Sequence, residues 1–338
     1  MHLLVGNPTA QSGRNRERIA RARERFEIHG LHHEVLATLP DGATVAAVAE
    51  AARGGSFDTM VAMGGDGTFR EVAAGILDSG AAVVMGMLPT GTANDQGRSF
   101  GMSAASDALD RNVAIVAERN IVPLDAGKLT ALHGAQSSAP HSPPTWFFDS
   151  AGWGMSARVL RWRNEDRSLV GHVPILRELY RDKFVYAGAV LQAFLASYVE
   201  NQDFACEVRT PNGVTHLSGI SDLIIKNTRY YAGAWVFDES ASPEDGMMEL
   251  VPLRGRNELI ARALLAHEQV PLFAEELPEG FQLSEILRAP WFELTFPSTD
   301  PAVEVQLDGE EHPPSVAWRV EVVRHAIQLI VPGQVEAS

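Results

Sequence analysis

Three short loops carry residue types suited to binding phosphate. They are residues 7–14 (Asn-Pro-Thr-Ala-Gln-Ser-Gly-Arg), 64–68 (Gly-Gly-Asp-Gly-Thr) and 88–95 (Leu-Pro-Thr-Gly-Thr-Ala-Asn-Asp). Glycines let backbone amides approach phosphate oxygens, Thr68 adds a hydroxyl donor, and Asp66 can hold Mg2+ or its waters. The second loop is not a Walker loop, since no Gly-Lys-Ser/Thr follows it. The three loops together predict a site for a nucleotide and a divalent cation.

Each loop also has a plain structural explanation. The first is a generic turn when taken alone. The second can be a glycine-rich turn in which Asp66 caps a helix, and Asp95 can cap the short helix that follows the third loop. Two glycine-rich loops on neighbouring strands favour the nucleotide site over these alternatives.

The loops follow strands of a predicted parallel sheet. From Met1 to about Val122, short apolar runs alternate with longer helical patterns, as in α/β proteins. The predicted strands are 3–5, 34–37, 59–63 and 82–88, and the predicted helices are 15–28, 43–52, 69–77 and 104–118. Ligands of such sheets bind where strands end and helices begin, because free helix amides and the helix dipole attract anions there.

The pattern changes after Pro123, where alternating segments separated by turns predict an antiparallel second domain. The predicted strands are 204–209, 217–226, 247–252, 291–296 and 303–307. Two helices are predicted at 157–167 and 174–199. Residues 132–145, rich in serine, proline and glycine, are predicted to form a solvent loop or mobile hairpin.

Composition limits the classes of function. The chain has 338 residues, 45% of them hydrophobic, and a formal net charge of -15. That charge repels phosphate backbones and disfavours nucleic-acid binding. A single cysteine, Cys206, excludes an intrachain disulfide and is predicted to be a buried packing residue in a strand. The absence of a membrane-spanning run and of a secretory core predicts a cytoplasmic protein.

The three loops, in this order and spacing, resemble those of the diacylglycerol kinase catalytic-domain superfamily, which includes bacterial lipid kinases and the sphingosine and ceramide kinases. The resemblance extends to three later segments: Asn-Thr-Arg-Tyr-Tyr-Ala-Gly at 227–233, Glu-Asp-Gly-Met-Met-Glu-Leu at 244–250 and Leu-Asp-Gly-Glu at 307–310. It therefore covers nearly the whole chain. Ala232 and Ala234 depart from the pattern, because they stand where the family usually has glycine.

The resemblance implies a two-domain fold. Residues 1–122 would form an α/β nucleotide-binding domain like that of phosphofructokinase and NAD kinase, to which about 321–335 would return. Residues 123–320 would form an antiparallel β-sandwich domain that carries the lipid site, with the active site in the cleft between the domains.

The resemblance also implies the site residues. ATP would be bound by the following residues: Asn7, Ser12, Gly13, Arg14, Gly64, Gly65, Asp66, Gly67, Thr68, Thr90, Gly91, Thr92 and Asn94. Asp66, Asp95 and Asp125 match a carboxylate network that organises the catalytic Mg2+, partly through water. Asp245 and Met248 match a second, structural metal site made of carboxylate and backbone oxygens, although Glu249 stands in place of the family's aspartate. Asp245 and Gly246 can instead be a turn before a strand.

Asp308 matches the general base of bacterial relatives, with Glu310 beside it. Phosphoryl transfer passes through a loose transition state, so alignment and charge neutralisation provide most of the acceleration and a carboxylate takes the alcohol proton late. The same tetrapeptide is also predicted to be a type I′ hairpin turn between 303–307 and 316–323. The two roles are compatible.

A lipid acceptor requires contact with a membrane surface, and the helices within 157–199 are candidates for it. The segment from Arg158 to Lys183 contains seven basic and four acidic residues, and Trp153 and Trp162 lie nearby in the sequence. These residues can contact a bilayer interface. The alternative is a solvated charged face packed on an ordinary core. A homodimer is compatible with the sequence and is left open.

Three functions are carried forward. The first is an ATP- and Mg2+-dependent lipid kinase that phosphorylates a hydroxyl of diacylglycerol or a sphingoid-like lipid. The second is an NAD kinase-like enzyme with a soluble acceptor. The third is a regulator that binds nucleotide or lipid without turnover, which the set of Asp66, Asp95, Asp125, Asp308 and Glu310 argues against.

Overall fold

The computed structural model describes residues 1–8, 14–91, 94–105, 107–132, 145–165, 203–231, 235–255, 258, 261–262, 265, 282–297 and 302–333. Within these residues the chain forms sixteen strands and six helices. It divides into two compact units. Unit 1 comprises Met1–Ala126 and Arg324–Ser338, and unit 2 comprises Gly127–Val323.

Unit 1 is an α/β unit. Its strands are β1 (His2–Gly6), β2 (His33–Ala37), β3 (Thr59–Gly64) and β4 (Val84–Pro89). Its helices are α1 (Arg14–Ile28), α2 (Ala43–Arg53), α3 (Asp66–Ser79), α4 (Asp95–Ser99) and α5 (Leu109–Glu118). Two strands, β5 (Ile121–Ala131) and β16 (Ala317–Ile330), have residues in both units.

The sheet of unit 1 has the order β2-β1-β3-β4-β16, and each neighbouring pair is parallel. The central strands are nearly continuous apolar runs because helices cover both faces of a parallel sheet. Leu4, Val61 and Met85 are fully buried there. Helix α3 packs on α2 so closely that a Cβ added at Gly75 would lie 2.7 Å from Val48.

Unit 2 contains the remaining elements. They are β6 (Thr145–Phe147), β7 (Ser150–Gly154), α6 (Met155–Glu165), β8 (Phe204–Thr210), β9 (Gly213–Ile220), β10 (Asp222–Lys226), β11 (Met248–Leu253), β12 (Leu287–Ala289), β13 (Trp291–Thr295), β14 (Val305–Leu307) and β15 (Glu310–His312).

Two antiparallel sheets of unit 2 share one apolar core. One has the order β12-β11-β10-β7-β14-β15, and the other runs β16-β13-β8-β9. Trp153 from the first sheet and Trp318 from the second meet with ring centroids 6.5 Å apart. Cys206 is buried in this core as predicted, and burial raises the pKa of its thiol to about 12.

Two predicted strand arrangements are wrong. Residues 217–226 do not form one strand, because Gly219 has a φ of 64° and the chain turns at Ser221 from β9 into β10 of the other sheet. Strand β14 does not pair with 316–323. The two-residue turn at Asp308 and Gly309 closes the hairpin on β15 instead, and 317–323 belongs to β16.

Two further expectations are corrected. Trp153 does not lie at a membrane interface, since it is fully buried and packs against Phe296 and Trp318. The helix predicted at 104–118 begins only at Leu109. The Nδ2 of Asn112 in this helix donates to the carbonyl of Ser103 in the preceding loop at 2.8 Å. The predicted helix 174–199 and residues 133–144 of the predicted loop 132–145 lie outside the described residues, and Thr145 is the first residue of β6.

Candidate active site

The second and third glycine loops are in backbone contact. Strands β3 and β4 are parallel neighbours that end at Gly64 and Pro89. The amide of Thr90 donates to the carbonyl of Gly64 at 2.8 Å. A Cβ added at Gly91 would lie 2.5 Å from the Cα of Gly65, so only glycine allows this approach. The two predicted phosphate loops therefore form one continuous surface.

Asp66 joins this surface to the next helix. It is the first residue of α3, where Gly65 occupies the N-cap position without a side-chain cap. Its Oδ1 accepts the amide of Gln96, the second residue of α4, at 3.2 Å. Asp66 therefore bonds to α4, a helix other than its own. The alternative prediction, in which Asp66 caps its own helix, does not describe this contact.

Asn94 holds the third loop in shape. It adopts the left-handed conformation with a φ of 52°. Its Oδ1 accepts the amide of Gly91 at 2.9 Å, and its Nδ2 donates to the carbonyl of Gly91 at 2.7 Å. Asn94 is one of the predicted nucleotide-binding residues. Both polar atoms of its side chain are hydrogen-bonded within the loop, where they hold Gly91 against Gly65.

The first loop is tied to the others through α1. Asn15 is fully buried, and its Nδ2 donates to the carbonyl of Asn7 at 2.6 Å. Arg18 donates to the carbonyl of Thr90 at 3.4 Å. Arg14 is the first residue of α1, while Ser12, Gly13 and Thr92 lie outside the described residues. The sequence analysis did not identify Asn15 and Arg18 as site residues. They are three residues apart and therefore lie on the same face of α1, and this spacing was the available signal.

Glycine also sets the position of Thr68. A Cβ at Gly64 would lie 2.2 Å from the Oγ1 of Thr68, so the hydroxyl of Thr68 rests against the last residue of β3. Gly67 lies between Asp66 and Thr68 in the first turn of α3. Donors and a carboxylate are thereby concentrated where the helix begins, which is the position that favours phosphate.

The other two carboxylates of the predicted metal network are buried. Asp95 is the first residue of α4 and is 6% exposed. Asp125 on β5 is fully buried, and its Oδ1 accepts the amide of His325 at 2.7 Å. His325 has a φ of 53°, an unusual backbone conformation in β16 that sequence reasoning did not anticipate.

No three histidine, cysteine, aspartate or glutamate side chains are grouped closely enough to hold a metal among the described residues. Mg2+ is usually held by one or two carboxylates together with waters and substrate phosphates. The carboxylate of Asp66 beside the glycine loops fits that kind of site. It does not fit a closed cage made of protein ligands alone.

In unit 2, Asp308 occupies a tight turn with its carboxylate fully oriented. Its φ of 48° and the φ of 79° at Gly309 correspond to a type I′ hairpin, as predicted. Oδ1 accepts amides of Phe148, Asp149 and Ser150 at 3.2, 2.8 and 3.0 Å, and Oδ2 accepts that of Phe148 at 2.9 Å. Backbone donors stabilise the ionised carboxylate. Glu310, at the start of β15, is exposed.

A buried ion pair supports the residues that hold Asp308. The Nζ of Lys226 donates to the Oδ1 of Asp149 at 2.7 Å, and the Oδ2 of Asp149 accepts the hydroxyl of Ser150 at 3.0 Å. Thr228 donates to Asp149 as well, and Lys226 donates to the carbonyl of Tyr230. Sequence reasoning missed Asp149 and Lys226, because 77 residues separate them.

Asn227 reinforces the same segment. Its amide donates to the carbonyl of Asp149 at 2.8 Å, and its Nδ2 donates to the carbonyl of Phe148 at 3.0 Å. The family-like stretch that begins at Asn227 therefore positions 148–150. Ala232 and Ala234, the departures from the family pattern, lie outside the described residues.

The predicted structural metal ligands are Asp245 and Met248. Asp245 forms an ion pair with Arg288, whose Nε also lies 3.2 Å from the Oε1 of Glu249. Met248 is fully buried in the apolar core. Burial raises the pKa of Glu249 to about 7, although the charge of Arg288 acts in the opposite direction.

The structure describes few of the basic residues predicted for membrane contact. Arg158 and Arg161 form ion pairs with the same carboxylate, that of Glu304, at 3.4 and 3.1 Å. The side chains of Trp162 and Arg163 and the residues from 166 to 200, which include Arg167, Arg177, Arg181 and Lys183, lie outside the described residues. None of the helices in the described part of the chain is long and apolar enough to cross a membrane.

Comparison with known proteins supports the resemblance inferred from the motifs. Residues 1–129 match the diacylglycerol kinase catalytic domain. A protein named "Probable lipid kinase YegS-like" from Cronobacter sakazakii is 28% identical over 284 residues, which cover 82% of this chain and 79% of that protein. The protein of the same name from Yersinia pseudotuberculosis is 27% identical over 281 residues, 81% of this chain and 79% of its own length.

Two solved structures share the fold. A diacylglycerol kinase from Bacillus anthracis gives a TM-score of 0.68 at 16% identity, covering 99% of this chain and 97% of its own. Yeast NADH kinase in complex with NADH gives a TM-score of 0.52 at 10% identity, covering 100% of this chain and 85% of its own. Together with the parallel sheet of unit 1 and the antiparallel sheets of unit 2, these likenesses confirm the predicted fold class.

Proposed function

From the diacylglycerol kinase catalytic domain that residues 1–129 match, we propose that this protein is an ATP- and Mg2+-dependent lipid kinase. It transfers the γ-phosphoryl group of ATP to a hydroxyl of diacylglycerol or of a sphingoid-like lipid. The relatives named as lipid kinases, which align with about four fifths of the chain, support a lipid rather than a soluble acceptor.

One observation carries the nucleotide part of the proposal. The loops after β3 and β4 touch at Gly65 and Gly91, and Asp66 bridges them to α4. Two adjacent strand ends with glycine backbones let nucleotide phosphates approach the first turn of α3, where helix amides favour negative charge. Because these loops are bonded to each other, the binding surface needs little ordering when ATP arrives.

Asp66 supplies the carboxylate for the magnesium ion. When bound, the ion neutralises the charge on the phosphates of ATP and of the transition state. The amide of Gln96 orients one oxygen of Asp66, so the carboxylate keeps its direction whether or not ATP is present. Arg18, bonded to Thr90, adds positive charge beside the third loop.

Asp308 takes the proton from the acceptor hydroxyl. Its carboxylate is held by four contacts from three consecutive amides, so its orientation is fixed before the lipid binds. That suits a loose transition state, in which the proton leaves the hydroxyl late and positioning matters more than basicity.

The acceptor can be tested directly. Purified protein is incubated with γ-labelled ATP and Mg2+, either with detergent-dispersed diacylglycerol, sphingosine or ceramide, or with NAD. Label in a chloroform-soluble lipid is the expected result. Label confined to NADP would replace this proposal with the NAD kinase-like alternative, which the fold of yeast NADH kinase supports. No transfer to any acceptor, combined with tight ATP binding, would favour the non-catalytic regulator.

A further inference from the structure

Two carboxylates near the start of β11 lie against one guanidinium of the chain. Glu249 of β11 and Arg288 of β12 face each other across the antiparallel ladder. The guanidinium of Arg288 contacts Asp245 through Nη2 and lies 3.2 Å from the Oε1 of Glu249 through Nε. The Glu249 side chain is 2% exposed and shielded from water, whereas Asp245 and Arg288 are 27% and 37% exposed.

Within the part of the chain that the structure describes, the Oε1 of Glu249 is buried without a hydrogen-bond partner, so its contact with Arg288 is an ion pair only, whereas the neighbouring carboxylates are hydrogen-bonded within the chain. The Oδ1 of Asp245 accepts the amide of Met247 at 2.8 Å. Asp238, which acts on Glu249 through its charge, accepts the amide and the hydroxyl of Ser240 at 2.8 and 2.7 Å.

This arrangement does not fit the structural metal ion that the sequence resemblance implies. A divalent ion at Asp245 would have to displace a guanidinium that already forms ion pairs with both carboxylates. A planar guanidinium with five fixed donors suits two carboxylates at once, whereas Mg2+ requires six oxygens in near-ideal octahedral geometry.

We propose that the guanidinium of Arg288 takes the place of the divalent cation at the segment 245–249, so that unit 2 is stabilised there without a metal. The register of β11 and β12 places the positive charge of Arg288 beside Glu249, because these two residues are paired in the antiparallel ladder. This inference concerns the stability of unit 2, and it stands apart from the lipid kinase activity.

Thermal unfolding with and without divalent ions tests the inference. The measurements use the full-length chain carrying Asp66→Asn, so that magnesium binding at the nucleotide loops does not contribute. With Arg288 present, the Tm is expected to stay within about 1 °C in EDTA, MgCl2 or CaCl2. Arg288→Gln leaves two adjacent carboxylates, so its Tm in EDTA is expected to fall by about 5 °C or more.

The distinguishing result is a gain of metal dependence. Addition of about 10 mM MgCl2 or CaCl2 is expected to recover at least half of the Tm lost in Arg288→Gln, because a divalent ion then fills the cation's place. Arg288→Lys keeps a positive charge and is expected to show no recovery. Arg319→Gln is the matched control, since Arg319 also joins two carboxylates, and those carboxylates, Glu293 and Glu321, are more exposed than Asp245 and Glu249.

Two results would overturn the inference. One is a stoichiometric divalent ion in the purified protein with Arg288 intact, together with a Tm that falls in EDTA. The other is an Arg288→Gln variant whose Tm does not respond to either ion. If Arg288→Gln fails to fold, the double variant Asp245→Asn/Arg288→Gln removes one carboxylate as well. It is expected to fold without metal and to show no metal response, and a metal requirement in it would contradict the inference.

Discussion

The ammonium of Lys226 and the carboxylate of Asp149 form a buried ion pair at 2.7 Å, directly next to the amides that hold Asp308. Both side chains are less than 10% exposed. Asp149 contributes its backbone amide to the carboxylate of Asp308 and its own carboxylate to Lys226, so one residue links the ion pair to the predicted general base.

Lys226→Met is expected to destabilise the protein by about 3–5 kcal/mol, because it leaves the carboxylate of Asp149 buried without its cation. Urea unfolding measures this loss, and the rate of lipid phosphorylation at saturating ATP is expected to fall while ATP affinity is unchanged. Lys128→Met is the control. Lys128 pairs with Glu321 at 3.0 Å, and both side chains are about one third exposed. The stability lost in Lys128→Met is therefore expected to stay below about 1 kcal/mol. Equal losses in the two variants would contradict the role given to the buried pair.

Asp308→Asn is expected to lower lipid phosphorylation by at least about 100-fold, the usual scale for a positioned base, without weakening ATP binding. The amide oxygen of asparagine can still accept the three amides that bond to Oδ1, while the NH2 group replaces Oδ2 and the proton acceptor is lost. Initial rates with a fixed lipid concentration and ATP titration calorimetry provide the two measurements. Glu311→Gln, on the exposed neighbouring strand, is the matched control, and near-normal turnover in Asp308→Asn would remove Asp308 from the role.

Asp66→Asn is expected to weaken Mg2+-ATP binding by about 10-fold or more, because it removes the negative charge that holds the ion while its amide oxygen still accepts the amide of Gln96. Calorimetric titration with ATP in MgCl2, compared with ATP in EDTA, isolates the magnesium-dependent part. Asp78→Asn, at the exposed other end of α3, controls for the loss of one charge from the helix. The assignment fails if affinity and rate in Asp66→Asn match those of the unmodified protein.

Gly91→Ala is expected to reduce ATP affinity by at least about 10-fold, since the added methyl group would lie 2.5 Å from the Cα of Gly65 and must separate the two loops. Gly75→Ala provides the comparison: its Cβ would lie 2.7 Å from Val48 between α2 and α3, so it is expected to lower the Tm while sparing ATP affinity. Titration calorimetry and thermal unfolding are measured on both variants. An unchanged ATP affinity in Gly91→Ala would show that contact between the loops is unimportant for binding.

The stability of the protein is expected to depend on pH through Asp222. Burial raises the pKa of its carboxyl to about 7, although hydrogen bonds from the amide and hydroxyl of Ser156 act in the opposite direction. Between the ordinary value of 3.8 and about 7, the folded protein holds a proton that the unfolded chain releases. The contribution of Asp222 therefore falls as pH rises through this range.

Asp222→Asn removes this dependence. Urea unfolding at several pH values from about 5 to 8 is expected to show that the free energy of unfolding of Asp222→Asn rises relative to the unmodified protein as pH increases. Asp107→Asn, at an exposed position, is expected to give no such trend. Parallel curves for Asp222→Asn and the unmodified protein would be incompatible with a raised pKa.

Local sequence predicted the elements whose signals lie within a few residues. The apolar runs at 3–5, 59–63 and 82–88 correspond to β1, β3 and β4, because a strand buried on both faces must be apolar throughout. The Asp-Gly pair at 308–309 predicted its turn for a similar reason, since both positions require positive φ. The partner of that hairpin was predicted wrongly, because pairing depends on which of several following strands closes the turn.

The amino-acid sequence by itself determined the α/β and antiparallel character of the two units, the glycine loops and the hairpin at Asp308. Each depends on short-range periodicity or on the backbone freedom of glycine. Only the tertiary structure decided that Trp153 belongs to the core, that Lys226 neutralises Asp149, and that Arg288 reaches Asp245 and Glu249. Those contacts join residues far apart in the chain, and sheet order and register, which no local pattern encodes, bring them together.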